Sequence, residues 1–126
     1  MNKIQRFEDL DVWQKSAALY KNISVLCEQG KLKNDLTAKD QLKRAALSIS
    51  NNIAEGYEYE NNLQFIRFLK YAKGSAGELR SMISILYECE LIGETQSKKV
   101  IQDVTFISQS IKNFMKYLVN HYQSTK

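Results

Sequence analysis

Apolar residues recur every three or four positions along the chain, in four separate runs. The first run has one apolar stripe and a second row beside it: Val12, Leu19, Ile23 and Leu26, then Trp13, Tyr20 and Cys27. Because an α-helix has about 3.6 residues per turn, this spacing places the stripe on one helical face. Asp9 and Asp11 are good N-cap residues. We therefore predict a first helix from these residues to about Gln29.

The second and third runs have the same periodicity. Their inward positions are Leu42, Ala45, Ala46, Ile49 and Ile53, then Phe65, Leu69, Ala72, Ala76, Leu79, Ile83 and Leu86. Thr37 is followed three residues later by Asp40, which resembles a capping box, so the second helix is predicted from Thr37 to Glu55. The third is predicted from Asn61 or Asn62 to about Leu91, a length of about 45 Å.

The fourth run opens at Thr95 and has the cleanest heptad pattern. Its apolar positions are Val100, Val104, Ile107, Ile111, Phe114 and Leu118. The chain contains no proline, and Gly30, Gly56 and Gly93 each follow a periodic run, where a left-handed C-cap favours glycine. Four amphipathic helices with short connections predict an all-α, antiparallel up-down-up-down four-helix bundle, with residues 1–126 forming a single domain.

Length and composition fit one cytoplasmic domain. The 126 residues are enough for one hydrophobic core, and no apolar run approaches the 18 residues or so of a membrane span. The first dozen residues contain no continuous hydrophobic region, so we expect no secretory leader. Cys27 and Cys89 lie far apart in the sequence, and we expect both to be reduced and buried rather than paired.

Catalytic signatures are absent from the sequence. His121 is the single histidine and no carboxylate stands three residues before it, so a bundle-type metal site is disfavoured. A nucleophilic pair of Cys27 with His121 is disfavoured as well, because Cys27 belongs to an apolar row. There is no glycine-rich phosphate loop or nucleophile elbow. We expect no enzymatic activity, no metal and no cofactor.

The net positive charge belongs to the second half of the chain. Residues 1–60 hold nine basic and nine acidic groups, whereas residues 61–126 hold nine basic and five acidic, which accounts for the net charge of +4. The basic residues on the predicted outer sides of the third and fourth helices are Arg67, Lys70, Lys73, Lys98, Lys99, Lys112 and Lys116. Two interpretations remain open: contacts to RNA phosphates, or a solvated face that keeps the bundle soluble.

A second function is compatible with the same pattern. Trp13 beside Tyr20, and Met115 with Tyr117 and Tyr122, are residue types that often anchor protein interfaces. The alternative hypothesis is therefore a structural or adaptor module that binds a protein partner without contacting nucleic acid.

Two segments depart from an ideal helix pattern. Residues 48–56 end on Glu55, whose charge opposes the negative end of a helix dipole and calls for a compensating donor. Residues 74–78 include Gly74 and Gly77, which each cost about 1 kcal/mol within a helix but permit close approach of another helix. We favour a polar contact between helices two and three, with Ser75 or Arg80 reaching Glu55 or Asn52, over a ligand site.

The same segments carry a family resemblance. The run from Gln41 to Ile49, followed by Asn-Ile-Ala-Glu-Gly at 52–56, resembles the signature of small four-helix-bundle proteins named for the intervening sequences of bacterial 23S ribosomal RNA genes. Residues 7–10 and 12–15 resemble the opening of that family. Phe65, Phe68, Leu69, Ala72, Leu79 and residues 74–76 resemble its third helix. Ser50 departs from the pattern, since many members carry proline there.

The resemblance implies a four-helix bundle that assembles into a homopentameric ring without enzymatic activity. It also implies kinship with accessory proteins of diversity-generating retroelements, which are basic pentameric bundles that bind RNA and a reverse transcriptase. Activity does not follow from fold alone. The signature positions, which we expect to serve structure, are Arg44, Asn52, Glu55, Gly56, Gly74, Ser75 and Glu78.

Overall fold

The computed structural model describes residues 4–124, and this part of the chain contains four α-helices and no strand. The helices are α1 (Asp11–Leu26), α2 (Leu36–Glu58), α3 (Asn62–Glu88) and α4 (Glu94–Ser124). Short 3₁₀ helices at Phe7–Asp9 and Gly30–Asn34 precede α1 and α2. The prediction of an all-α protein with four helices is confirmed.

Helices that follow one another in sequence pack together, and α1 also packs against α4. Contacts along the α2–α3 pair run in opposite directions, because Ser48 meets Ser75 while Gly56, further along α2, meets Phe68. Between α1 and α4, Lys15 lies over Phe106, and Gln29, which follows α1, hydrogen-bonds Gln96 near the start of α4. Both pairs are therefore antiparallel.

The core consists of the residues that the periodicity predicts. Almost all of the predicted stripe positions are buried, and Leu19, Ile23, Leu42, Ile49, Leu69, Leu79 and Ile83 are among those with less than 2% exposure. Leu86 and Phe114 are half-buried and pack against this core, as do Trp13 and Tyr20. Burying a Leu or Ile side chain stabilises the folded state by about 1.5–3 kcal/mol, so the four stripes supply the main driving force for folding.

Three of the four helix starts differ from the sequence prediction, one of them by a single residue. The N-cap of α2 is Asp35, whose carboxylate accepts a hydrogen bond from the backbone N–H of Ala38 at 3.0 Å, so the proposed cap at Thr37 is wrong. The N-cap of α1 is Leu10, without a side-chain hydrogen bond. Asn61 caps α3 as predicted, by accepting from the N–H of Gln64 at 3.0 Å. Helix α4 begins one residue before Thr95.

The helix ends show where glycine is required and where it is not. Gly30 has a φ of 54°, as expected, but Gly56 lies inside α2 and Gly93 has no positive φ. The left-handed positions after α2 and α3 are instead occupied by Glu60 and Glu90, with φ of 54° and 62°. A side chain in this conformation is strained by roughly 1–2 kcal/mol. The prediction that Gly56 and Gly93 are left-handed caps is wrong.

The two ends of the helix assembly differ in what they bring together. At one end, a groove of about 640 Å³ is lined by Tyr57, Phe65, Phe114 and Tyr117, among others; we call it the aromatic end. At the other end, a groove of about 580 Å³ includes Gln29, Gly30, Gly93 and Gln96; we call it the glycine end. The start of α3 and the last turns of α4 lie at the aromatic end.

Candidate nucleic-acid interface

Polar side chains join α2 to α3 in the middle of the molecule. The hydroxyls of Ser48 and Ser75 are 2.8 Å apart, and the Asn52 amide donates to the carbonyl and hydroxyl oxygens of Ser48, at 2.8 and 3.1 Å. A polar contact between helices two and three is thus present, but not the expected one: Ser75 hydrogen-bonds Ser48, and Asn52 hydrogen-bonds Ser48 rather than Ser75 or Arg80. Glu55 is exposed, and neither Ser75 nor Arg80 hydrogen-bonds it.

Gly56 is the position where the two helices approach most tightly. A Cβ atom there would lie 2.7 Å from Cβ of Phe68, closer than Cβ atoms approach other atoms in proteins, and 3.0 Å from Cδ1 of Phe65. Around Gly74 and Gly77, by contrast, no atom of the described chain lies within 4 Å of a Cβ built at either residue. The expectation that these two glycines admit another helix of the same chain is wrong, and Gly56 has that role.

The remaining signature positions lie on the surface. Arg44 is exposed and donates from Nη2 to Oε1 of Gln41 at 2.7 Å, and Glu78 is exposed on α3. Of the seven signature positions, Asn52, Gly56 and Ser75 therefore form the α2–α3 contact, whereas Arg44, Glu55, Gly74 and Glu78 are outside it.

The seven candidate cations fall into two groups. Lys98 and Lys99 form ion pairs with Glu94 and Asp103, each four residues away and each at 2.9 Å. The second group has no carboxylate within ion-pair distance among residues 4–124; it comprises Arg67, Lys70, Lys73, Lys112 and Lys116. Of these, Lys73 is half-buried and the others are exposed. Of the seven candidates, these five have charge that no carboxylate of the described chain compensates.

The uncompensated cations lie towards the aromatic end. The rings of Phe65 and Phe114 are in contact, with centroids 5.4 Å apart, which places these two positions of α3 and α4 at the same level. At about 1.5 Å per residue, Arg67, Lys70, Lys112 and Lys116 lie within about 8 Å of that level along the helix axes, and Lys73 within about 12 Å. The paired lysines of α4 are more than about 20 Å away.

Exposed aromatic rings stand beside these cations. Tyr59 stacks on Phe68 with centroids 5.2 Å apart and planes at 18°, and Phe68 contacts Tyr71 edge to face at 5.6 Å. Nε of Arg67 donates to the hydroxyl of Tyr71 at 2.9 Å, and this hydrogen bond raises the pKa of Arg67. Tyr71 is 47% exposed, and Tyr59 is 53% exposed. The i, i+3 spacing of Phe68 and Tyr71 places both rings on one face of α3, and this feature is visible in the sequence.

A second row of rings continues across α4. Tyr117 stacks on Phe114 at 6.3 Å and on His121 at 5.3 Å, both with planes near 19°. Tyr117 is 56% exposed. The aromatic end therefore combines free cations with accessible rings, which is the combination that single-stranded nucleic acids bind.

The residues proposed as protein anchors are mostly engaged within the chain. Trp13 packs against Phe7 with centroids 5.5 Å apart, and Trp13, Tyr20 and Met115 are half-buried against the core. The side chain of Tyr122 lies outside the described residues. A different aromatic is accessible: Phe106 is 57% exposed in a groove of about 520 Å³ between α1 and α4, with Nζ of Lys15 4.4 Å from its ring centroid.

The two cysteines occupy different environments. Cys27 is fully buried, and desolvation raises the pKa of its thiol despite the opposing influence of Lys43 and Lys39. Such a thiol is protonated at neutral pH and packs as a small apolar group. Cys89 is exposed at the C-cap of α3, so the prediction that it is buried is wrong. It lies at a helix end, where the apolar stripe of α3 no longer faces a partner.

Metal ligation and membrane spanning are two further properties that side-chain clusters and helix hydropathy test. Residues 4–124 contain no group of three or more His, Cys, Asp or Glu side chains that could share a metal ion. Over the same part of the chain, none of the helices has a stretch apolar enough to cross a bilayer.

Four amphipathic helices, joined by short connections and held at α2–α3 by the signature residues, define a small all-α protein. The chain belongs to the 23S rRNA-intervening sequence protein family, whose model matches residues 8–113. Among solved structures, the chain is similar to a protein of unknown function from the S23 ribosomal protein family of Bacteroides thetaiotaomicron. The two share 26% identity and a TM-score of 0.75, over 83% of this chain and 98% of that one. A comparison with curated proteins gives no match.

Proposed function

We propose that this protein is a cytoplasmic, non-enzymatic RNA-binding protein that contacts phosphates through the uncompensated cations of α3 and α4. One observation carries the proposal. Of the seven candidate cations, two are paired with carboxylates and five are not, and the five unpaired cations lie towards one end of the molecule. A lysine without a carboxylate partner is free to exchange its counterion for a phosphate, which is the source of affinity in nucleic-acid binding.

Family membership supports the choice of RNA as the polyanion. The family takes its name from the intervening sequences of 23S rRNA, and we propose that a structured RNA of that kind is the ligand. The resemblance to accessory proteins of diversity-generating retroelements favours the same class of ligand.

Assembly would strengthen the interaction. We propose an up-down-up-down bundle that forms a homopentameric ring, in which a net charge of +4 per chain becomes +20 per ring. A charge of that size produces a field that attracts a polyanion over long range at low salt. Light scattering of the full chain should then give a mass of about 73 kDa, five times 14.6 kDa.

A pair of double variants tests the phosphate contacts. Lys112→Gln with Lys116→Gln removes two unpaired charges, whereas Lys98→Gln with Lys99→Gln removes two paired charges from the same helix. Filter binding of structured RNA at several salt concentrations should show a lower affinity for the first variant. Its slope of log K against log salt should be shallower by about 1.4–1.8, as expected for two lost phosphate contacts on single-stranded or duplex regions.

The second variant is the matched control, because its change in net charge is the same. We expect its affinity to stay close to that of the wild type. Equal losses for the two variants would mean that net charge alone drives binding. Absence of RNA binding at low salt would refute the proposal.

The adaptor hypothesis keeps one supporting observation. The exposed ring of Phe106 in the α1–α4 groove is the kind of side chain that inserts into a protein partner. A pull-down with wild-type protein and with Phe106→Ala, each after nuclease treatment, separates a protein partner from one bridged by RNA.

A further inference from the structure

The aromatic and cationic side chains on the α2–α3 face form one continuous surface. We call Tyr59, Phe68, Tyr71 and Arg67 the aromatic platform. We propose that the aromatic platform binds unpaired bases of single-stranded RNA by stacking, with the RNA backbone following α3. This inference rests on the proposed RNA-binding function and specifies which form of RNA is bound at this face.

The geometry leaves ring faces available to a ligand. Tyr59 lies nearly parallel to Phe68, with planes at 18°, so Phe68 covers one face of the tyrosine ring. Tyr59 is nevertheless 53% exposed and Tyr71 is 47% exposed. Aromatic residues are normally buried for their large apolar area. Phe68 covers one face of Tyr59, and the guanidinium of Arg67 lies 5.7 Å from the ring centroid of Tyr71, but about half of each tyrosine is accessible. A flat, apolar base fits such a surface.

Phe68 holds the platform in place. Helices α2 and α3 are so close at Gly56 that even a methyl group there would collide with Cβ of Phe68. The hydrogen bond between Ser48 and Ser75 fixes the same pair of helices further along. Because Phe68 is clamped, Tyr59 on one side and Tyr71 on the other rest against a rigid ring. A preorganised surface loses less conformational entropy when a base stacks on it.

The charges around the platform set the path of the backbone. Arg67 is hydrogen-bonded to Tyr71, and Lys70 is its neighbour three residues later on the helix surface. Around the C-terminal end of α2 the exposed charges are carboxylates, those of Glu55, Glu58 and the following Glu60. Phosphates are attracted to α3 and repelled from α2. A strand that follows α3 therefore directs its bases towards the rings.

Stacking on a protein ring requires a base that is not already paired and stacked in a helix. A duplex presents phosphates but no free base faces except at its ends, so it can use Arg67 and Lys70 but not the tyrosines. We therefore expect the platform to distinguish single strands from duplexes of the same charge. Lysines alone distinguish the two less well, because both present phosphates.

The experiment uses the full chain and three labelled RNA probes of 12 nucleotides. They are single-stranded oligoadenylate, its blunt duplex with oligouridylate, and an abasic strand with the same ribose phosphates. Fluorescence anisotropy should show that wild-type protein binds oligoadenylate about tenfold more tightly than the abasic strand, the size expected for stacking of a base on an aromatic ring. In Tyr71→Leu that preference should disappear.

The conservative variant separates stacking from the hydrogen bond. Tyr71→Phe keeps the ring but loses the contact with Arg67, and its preference for bases should stay within about twofold of wild type. Tyr59→Leu removes the ring on the other side of Phe68 and should independently reduce the preference for bases. Emission of 2-aminopurine placed within the single strand should be quenched by wild type and by Tyr71→Phe, and not by Tyr71→Leu.

The outcomes distinguish this inference from the phosphate-binding proposal. Lys112→Gln with Lys116→Gln should weaken the binding of all three probes alike. Tyr71→Leu should weaken the binding of single-stranded oligoadenylate only, because that probe alone has unpaired bases. Equal binding of the abasic and adenylate strands by wild type refutes stacking and leaves phosphate binding intact. Failure of every probe to bind refutes both. A changed oligomeric mass in Tyr71→Leu would show that a second copy, not RNA, covers the platform, and would also overturn the inference.

Discussion

The aromatic end and the glycine end are built from the same four helices but use their surface residues differently. At the glycine end, Lys98 is paired with Glu94, and the amides of Gln29 and Gln96 hydrogen-bond each other at 2.6 Å. At the aromatic end, Lys112 and Lys116 have no carboxylate partner among the described residues, and Tyr117 is exposed. Among the seven candidate cations, those nearest the glycine end are therefore paired with carboxylates, whereas those towards the aromatic end are not.

This difference among the candidate cations is the reason that the proposed RNA contacts lie towards the aromatic end. Ion pairs at i, i+4 spacing stabilise a helix by a few tenths of a kcal/mol and occupy both charges. Unpaired cations and exposed rings bring no such gain to the fold. Surface residues that do not contribute to stability are expected where a protein binds a ligand. The predictions below test this contrast.

The largest expected effect is at the glycine end. Leu32 is fully buried in the 3₁₀ helix Gly30–Asn34, and Leu32→Ala leaves a cavity that should cost about 2–5 kcal/mol in the free energy of unfolding. RNA affinity measured below the melting temperature should stay unchanged, because the candidate cations Arg67, Lys112 and Lys116 lie towards the other end. Thermal unfolding and filter binding check the two parts. A loss of affinity in the folded variant would contradict the division between the ends.

A smaller loss of stability is expected from Gly56→Ala. The new methyl group lies 2.7 Å from Cβ of Phe68, so α2 and α3 must separate, at a cost of about 1–3 kcal/mol. Because Phe68 supports the tyrosines, binding of single-stranded RNA should weaken as well. Chemical denaturation and anisotropy measure these two effects.

Gly74→Ala is the control for this substitution. It also replaces a glycine within a helix, but in open space, so it should stabilise the protein by about 0.4–1 kcal/mol. If both variants were stabilised, close packing at Gly56 would not be what holds the aromatic end together. If both were destabilised, the space beside Gly74 would be filled in solution, and a second copy would be the first partner to examine.

The smallest effect should come from freeing the paired lysines. Glu94→Gln with Asp103→Asn removes the partners of Lys98 and Lys99 and should cost about 0.3–0.5 kcal/mol per pair. The net charge rises from +4 to +6, since two acidic groups are lost. RNA affinity at low salt should therefore increase. An unchanged affinity would mean that position on the aromatic end matters more than the number of free cations.

Hydrophobic periodicity was sufficient to predict the four helices and their buried faces. The stripe of α3, from Phe65 through Leu69 and Ala72 to Ile83, is buried as predicted, because three-four spacing leaves only one face that can exclude water. The cap at Asn61 was also predictable, since its side chain acts within its own turn. These are local properties, and a local pattern encodes them.

The functions of the glycines could not be predicted in this way. Gly56 was interpreted as a helix end and Gly74 as a place of close approach, and both interpretations were wrong. A glycine after an apolar run looks the same whether the chain turns there or continues past a neighbouring helix. The distinction depends on Phe68, which is 12 residues away and on another helix.

The candidate site, too, could be predicted from the sequence only in part. The seven cations were visible in the sequence, and so was the i, i+4 spacing of Lys99 and Asp103 that neutralises one of them. Their separation into two ends was not visible. It follows from the level at which Phe65 of α3 meets Phe114 of α4, a contact between residues 49 positions apart.

The amino-acid order alone thus determined that the chain forms four helices and which face of each is apolar, because those properties depend on neighbours within a turn or two. Only the tertiary structure decided that Tyr59 would lie on Phe68 and that Lys112 would share one end of the molecule with Arg67. Such juxtapositions depend on how far one helix slides along the next. That distance is set by side chains such as Gly56 and Phe68 meeting across the interface, and no periodicity records it.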